Sequence, residues 1–211
     1  MLTPRRLWLP VAVVLAFAGC RDATAPFDGV RADVASQPPA LFGPHFLRQA
    51  PGAPPLETYQ VSFWAVDGEA ASVTVNYQPA GDESVGQPFL RFDIPKNALA
   101  TSPGGSRMNR GDSVLVSLTI DPVTFAVDFQ PSGMWFSKGV PAQLTIWYQN
   151  ADPDLNGDGV TDAVDRQLEQ QIAMWSNPAN ARWVRLPSVT DPTWHSVSSA
   201  VLHFSEYAAS W

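Results

Sequence analysis

Ser113–Ile120 most narrowly limits what this chain can become. Val114, Val116, Leu118 and Ile120 fall on one side, with Ser117 and Thr119 on the other. A period of two gives a strand with one buried face and one open face. The same pattern recurs in Thr58–Ala65, where Tyr59, Val61, Phe63 and Ala65 align, and in Ser72–Gln78, where Val73, Val75 and Tyr77 align. Phe89–Ile94, Phe125–Gln130, Ala142–Tyr148, Trp183–Leu186, Trp194–Phe204 and Glu206–Trp211 also read as strands. Asp67-Gly68 is a hairpin signal. A Gly/Ser/Pro-rich loop carries the chain to Arg110. Many short strands at this spacing predict a mainly β protein, an antiparallel β-sandwich, over residues 57–211. The lone cysteine rules out the Cys-Trp-Cys set of a true immunoglobulin domain.

One stretch breaks the β pattern. Counting Asp154 as position 1 of a twelve-residue loop places side-chain oxygens at positions 1, 3, 5, 9 and 12: Asp154, Asn156, Asp158, Asp162 and Asp165. Position 6 is Gly159, where such a loop needs a sharp turn, and position 7, Val160, offers only its backbone carbonyl. Hard cations such as Ca²⁺ take about six to eight oxygens, and this spacing converges them on one point. A register starting at Asp152 puts Val160 at position 9 and Ala163 at position 12, losing two ligands, and is rejected. An acidic turn built on Asn-Gly and Asp-Gly is the plain alternative. Position 12 is Asp rather than Glu, a shorter arm for two-oxygen ligation.

After the loop, Ala163–Ser176 predicts a helix with Val164, Leu168, Ile172 and Trp175 as its apolar stripe, stopped by Asn177-Pro178. The whole insert spans residues 152–178. A β-rich Gln143–Tyr148 precedes it in place of an incoming helix. Strand, loop and helix together resemble half of a dockerin module. Dockerins carry two such loops and this chain has one, so their docking activity does not transfer with the resemblance.

The N-terminus predicts a signal peptide over residues 1–19: Arg5 and Arg6, then apolar Leu7–Gly19, too short to span a bilayer. Ala16-Phe17-Ala18-Gly19-Cys20 resembles the bacterial lipobox, with Phe17 departing from its usual aliphatic residue. The resemblance implies that Cys20 is lipidated and anchors the chain to a membrane of the cell envelope, at the outer membrane or cell surface. Cys20 is the only cysteine, so no intramolecular disulfide competes for it. Pro26, Pro38, Pro39, Pro44, Pro51, Pro54 and Pro55 mark residues 20–56 as a tether. Leu41-Phe42 and His45-Phe46-Leu47 are its only apolar knots, placed to dock on the domain or pair at an edge. Losing residues 1–19 removes two arginines and no acid, moving the formal charge from −7 to −9. That balance disfavours nucleic acid and favours cations.

Phe89–Leu99 (FLRFDIPKNAL), Phe129–Phe136 (FQPSGMWF), Val140–Ile146 (VPAQLTI), Trp183–Pro187 and Val201–Ala208 (VLHFSEYA) form a discontinuous set. It resembles the β-sandwich domain shared by ankyrins, netrin receptors and tight-junction scaffolds, a ZU-five-like pattern. His203-Phe204-Ser205 before Tyr207 resembles the ending of bacterial lipoprotein versions. Ser102–Arg110 departs from the family's spacing. The resemblance implies a structural or interaction domain with no catalytic residues.

Nothing in the residues argues for an enzyme. His45, His195 and His203 lie in no nucleophile or metal-protease motif. Asp93, Asp128 and Glu206 are separated strand residues with no spacing that pairs them. Trp64 and Trp147 fall opposite their strands' apolar rows. Left open, they would make a sugar-stacking platform; the apolar helix stripe, which needs a partner, would instead cover them. The sequence therefore predicts a noncatalytic, calcium-stabilised envelope lipoprotein. Its alternatives are a carbohydrate-binding or hydrolase-accessory module using Trp64 and Trp147, and a dockerin-like module with a protein partner.

Overall fold

The computed structural model describes residues 43–82, 84–178 and 182–211. It is a mainly β sandwich. One layer is a six-stranded sheet, in the order β1 (Gln60–Val66), β5 (Ser113–Ile120), β6 (Ala126–Gln130), β13 (Glu206–Ser210), β9 (Ala173–Asn177) and β10 (Val184–Arg185). The other has five strands, in the order β11 (Ser188–Asp191), β12 (Ser196–Val201), β8 (Ala142–Trp147), β3 (Pro88–Ile94) and β2 (Ala71–Asn76). A ribbon of β4 (Leu99–Thr101) and β7 (Trp135–Phe136) stands apart from both. All pairings in the two main sheets are antiparallel.

The core follows from the alternation. On β5, Val116, Leu118 and Ile120 are buried, and Val114 is half-buried at the strand's start. Ala65 on β1 and Val75 on β2 turn inward in the same way. Aromatic rings fill the gap between the layers. Phe92 on β3 sits 4.6 Å from Phe129 on β6, and Phe129 stacks on Phe204 at 5.6 Å. Phe89 meets Phe125 at 5.5 Å. Offset and tilted contacts of this kind add to the free energy of burial itself.

The His-Phe-Ser-x-Tyr ending has a physical role in this core. The buried Tyr207 hydroxyl donates to the His203 carbonyl four residues back, clamping the approach to β13. Burial pushes the Tyr207 phenol up to about 12, against a smaller downward pull from its bond with Ser205. Tyr207→Phe is expected to lower unfolding stability by about 0.5–1.5 kcal/mol. A shifted urea midpoint at unchanged m-value would register that loss.

Three expectations are corrected. Asp67-Gly68 does form a turn, with Gly68 at φ 94° and the Glu69 amide bonded to the Val66 carbonyl at 3.1 Å. It is no hairpin, because β1 pairs with β5 and β2 pairs with β3 in the opposite sheet. β5 offers β1 a full seven-residue register, and the turn carries the chain between layers.

The tether ends earlier than Glu57. Leu47 and Leu56 are buried in the core, and Phe46, Arg48, Gln49 and Leu56 bridge to Ser210, Thr124, Ala151 and Tyr77. His45-Phe46-Leu47 docks, with the Leu47 amide on the Ala209 carbonyl at 3.2 Å. Proline in this segment only interrupts the ladder, so isolated bridges replace a continuous strand. The signal segment, the lipobox-like residues with Cys20, and Leu41-Phe42 lie outside the described residues.

The helix is shorter than expected. The helix α1 covers Ala163–Glu169, and Ala173–Asn177 is β9, inside the six-stranded sheet. Val164, on the expected apolar stripe, is 47 % exposed. Ile172 and Met174 are buried by sheet packing instead. The insert between β8 and β9 therefore closes at Ile172, short of residue 178.

Candidate metal centre

The loop begins where β8 ends. Its base is fixed by the segment before β1: the Asp152 amide donates to the Arg48 carbonyl at 2.8 Å, and Ala151 bridges to Gln49. The chain then coils around its own acidic side chains. Asp154 Oδ1 accepts from the amides of Gly157 at 2.9 Å and Asp158 at 3.1 Å, and its Oδ2 accepts from Gly159 at 2.7 Å. Asn156 Oδ1 accepts from the Asp158 amide at 2.9 Å, and Asp158 Oδ1 accepts from the Val160 amide at 2.9 Å. Gly157 at φ 73° and Gly159 at φ 88° hold the left-handed turns that this winding needs. Val160 points its side chain outward, as a residue contributing only a carbonyl can.

The last two positions join loop to helix. Asp162 caps α1, accepting from the Val164 amide at 2.7 Å. Asp165 completes the capping box, receiving the Asp162 amide on Oδ2 at 2.8 Å. Its Oδ1 receives the amides of Leu155 at 2.9 Å and Asn156 at 3.3 Å. One carboxylate thus ties the start of the loop to its end, and Asp165 is only 3 % exposed. The Asp162 amide, against the opposing effect of burial and with help from Asn156 and Leu155, holds the Asp165 carboxyl below the usual carboxylate range.

Asp154, Asn156, Asp158, Val160, Asp162 and Asp165 thus occupy one closed turn. Among the described residues, no three carboxylate, histidine or cysteine side chains converge closely enough to hold an ion. The acids face the loop's own amides. Each carboxylate oxygen has two lone pairs. Asp154 Oδ2, Asp158 Oδ1, Asp162 Oδ1 and Asp165 Oδ2 each take one amide and keep a lone pair for a cation, whereas Asp154 Oδ1 and Asp165 Oδ1 have both filled by amides. An all-oxygen set of four acids, one amide and one carbonyl matches the chemistry of Ca²⁺ rather than of softer metals.

No protein-family model, curated protein or solved structure matches this chain.

The remaining candidates are scattered. Trp64 is 64 % exposed on the outer face of the six-stranded sheet, and Trp147 is half-buried on the outer face of the five-stranded one. Two outer faces of one sandwich cannot present a shared platform, so the alternative of a paired Trp64–Trp147 site fails. The expected cover fails at Trp64, which stays open on the other sheet. Helix α1 docks at the end of β8, where Glu169 meets His195 at 3.0 Å over a cavity of about 170 Å³ lined by Tyr148, Leu155, Asp165 and Ile172. The buried Tyr148 hydroxyl has no partner among the described residues, and burial pushes its phenol up.

His45 stacks on Trp211 at 4.3 Å and His203 lies 4.9 Å from Trp135, so the three histidines stay apart. Asp93 is paired with Arg91 at 2.8 Å. Sequence spacing gave no hint that Asp128 and Glu206 are direct cross-strand partners on β6 and β13. Only the register of strands far apart in the chain brings them side by side. Their carboxylates accept from Gln130 at 2.8 Å and Asn177 at 3.1 Å, which disperses charge on the sheet surface.

Proposed function

We propose that this chain is a noncatalytic module whose loop 154–165 binds Ca²⁺, and whose sandwich has a structural or interaction role in the cell envelope. The observation that carries this reading is the closed loop, with the buried Asp165 receiving amides from both of its ends. Such a frame holds four aspartates within twelve residues and leaves their mutual repulsion for a cation to neutralise. Asp154, Asn156, Asp158, Asp162 and Asp165 would ligate through side chains and Val160 through its carbonyl. Bound calcium would fix the insert against the Arg48–Gln49 segment and the end of β8. The residues resembling a lipobox support anchoring through lipid on Cys20. The resemblance to the ankyrin and netrin-receptor sandwich supports an interaction role, with a protein as the partner class.

Calorimetric titration of the metal-free chain with CaCl₂ tests the site. One equivalent of calcium should bind, with a Kd of about 10⁻⁴–10⁻³ M if the loop behaves as an extracellular module. Mg²⁺ should compete poorly, because it demands near-octahedral geometry and sheds water reluctantly. No binding at about 10 mM calcium would reduce the loop to a self-satisfied acidic turn and end the proposal.

A further inference from the structure

The sandwich has four sheet edges, and three of them are guarded. β10 is two residues long and carries Arg185. β11 lies between Pro187 and Pro192, and its flank is occupied where the Met174 amide meets Ser188 Oγ at 2.9 Å and Thr190 Oγ1 meets the Ile172 carbonyl at 2.7 Å. β2 carries a bulge at Val75/Asn76 and is capped by the Glu57 amide on the Asn76 carbonyl at 2.9 Å and the Gln78 amide on the Pro55 carbonyl at 2.8 Å. Short length, charge, proline, bulges and cover are the devices that keep edges from pairing.

β1 is tied off only at its ends, by Thr58 at Gln60 and by the Glu69 amide on the Val66 carbonyl, and has none of these devices between them. Its seven residues, Gln60 to Val66, include no charge and no proline, and its register with β5 is unbroken. The Ile120 amide bonds the Tyr59 carbonyl, so Tyr59, Val61, Phe63 and Ala65 direct their backbone groups to β5. Ser62 and Trp64 then point theirs away from the sheet. Among the described residues nothing bonds to those groups. Gln60 is satisfied locally by Thr58 Oγ1. The side chains at this edge are apolar as well. Trp64 and Leu115 are cross-strand neighbours, both exposed on the outer face, while Val61 and Phe63 are only half-buried at the open flank of the core.

We propose that β1 is a self-association edge, pairing antiparallel with β1 of a second copy about a two-fold axis at Phe63. The pattern selects this occupant because it is complementary to itself. Centring the pair on Phe63 sets Ser62 opposite Trp64 of the other copy, twice over. These are the residues with open backbone groups, so both N–H and both C=O groups on each side are satisfied. Phe63 meets its own copy in the close, non-hydrogen-bonded position, and Val61 meets Ala65, closing the flank of the core. The two Trp64 rings become diagonal neighbours on the outer face, within reach of each other. No like charges face each other along the paired strands, which matters for a chain of formal charge −7. The same edge on both copies makes the interface isologous and closed, so association stops at the dimer. The two six-stranded sheets become one continuous sheet. This interface does not rest on the calcium reading, and the loop plays no part in it.

Register-specific crosslinking of the full chain tests it, in a Cys20→Ser background that leaves one cysteine to place. Phe63→Cys should form a covalent dimer under mild oxidation, because its Cα atoms would lie about 4.5 Å apart. Val61→Cys should not, since its opposite number is Ala65. Trp64→Lys tests the same edge without touching the core: its circular dichroism should match the parent chain, while sedimentation velocity should show dimerisation weakened at least about tenfold. A parent chain that stays monomeric at about 100 µM would overturn the proposal. So would a dimer indifferent to Trp64→Lys, or equal crosslinking at positions 61 and 63.

Discussion

Replacing Phe92 with alanine should cost this domain about 3–5 kcal/mol. Phe92 has no exposed surface, and its ring lies 4.6 Å from Phe129, 6.1 Å from Phe204 and 6.2 Å from Phe136. These contacts join β3 of one sheet to β6 of the other and to the β7 ribbon. Losing the ring removes both its transfer free energy and the surface it shares across the layers. The gap cannot close cheaply, because β3 is held on both sides by β2 and β8. At about 2–4 °C per kcal/mol for a domain this size, the melting midpoint should fall by roughly 6–20 °C. Val189→Ala, at a residue 72 % exposed, should move stability by no more than about 0.5 kcal/mol. A Phe92→Ala loss no larger than that of Val189→Ala would mean that the layers are not held by this aromatic contact.

Calcium should produce the second large shift. At free calcium about 100 times Kd, binding to the folded state alone adds about 2.7 kcal/mol, or roughly 5–11 °C in melting midpoint. Scanning the chain in EDTA, in magnesium and in calcium reads this directly. Asp158→Ala is the informative variant. Its Oδ1 accepts only the Val160 amide and its Oδ2 only the Asn156 side chain, so the Asp165 frame survives its removal. The calcium increment should vanish in Asp158→Ala while its melting in EDTA stays close to the parent's. Asp165→Ala would be a poor test, because it unties the loop whether or not a metal is present. Identical melting of the parent chain in all three solutions would mean that the loop's amides are all the partners its acids have.

The strands were legible because their alternation is clean. Val116, Leu118 and Ile120 are buried as their spacing requires, and Trp64 sits on the face opposite Ala65. The tight winding of residues 154–165 was legible because its Asp, Asn and Gly spacing is local and the turns close within one short stretch of chain. β9 was not legible. Ile172 and Trp175 continue the helical period from Val164 and Leu168, yet Ala173–Asn177 is flanked by β13 and β10, with Met174 and Ser176 buried on one face and Trp175 and Asn177 half-buried on the other. A short apolar run carries no period that separates a central strand from a helix turn, and the decision is made by strands distant in sequence. The same holds for Asp67-Gly68, whose turn chemistry specifies a reversal but not whether the two strands lie beside or across from each other. Leu56 was hidden by the prolines around it, whereas Leu47 belongs to the His45-Phe46-Leu47 knot whose apolar run already pointed to docking. Composition marked the segment as linker, while two buried side chains are enough to fix it to the core.

β13 has a bearing on how the chain must be made. It lies between β6 and β9 in the six-stranded sheet, although among the described strands it comes last in chain order. Until residue 210 has been added, β9 and β10 have no neighbour through which to join β1, β5 and β6, and half of one layer cannot close. That layer therefore cannot close stepwise as the chain leaves the ribosome. The pairings of β13 with β6 and β9 wait for residues 206–210, and a chain interrupted before Glu206 is left with two unpaired strand edges and an open core, a species prone to aggregate and easily proteolysed.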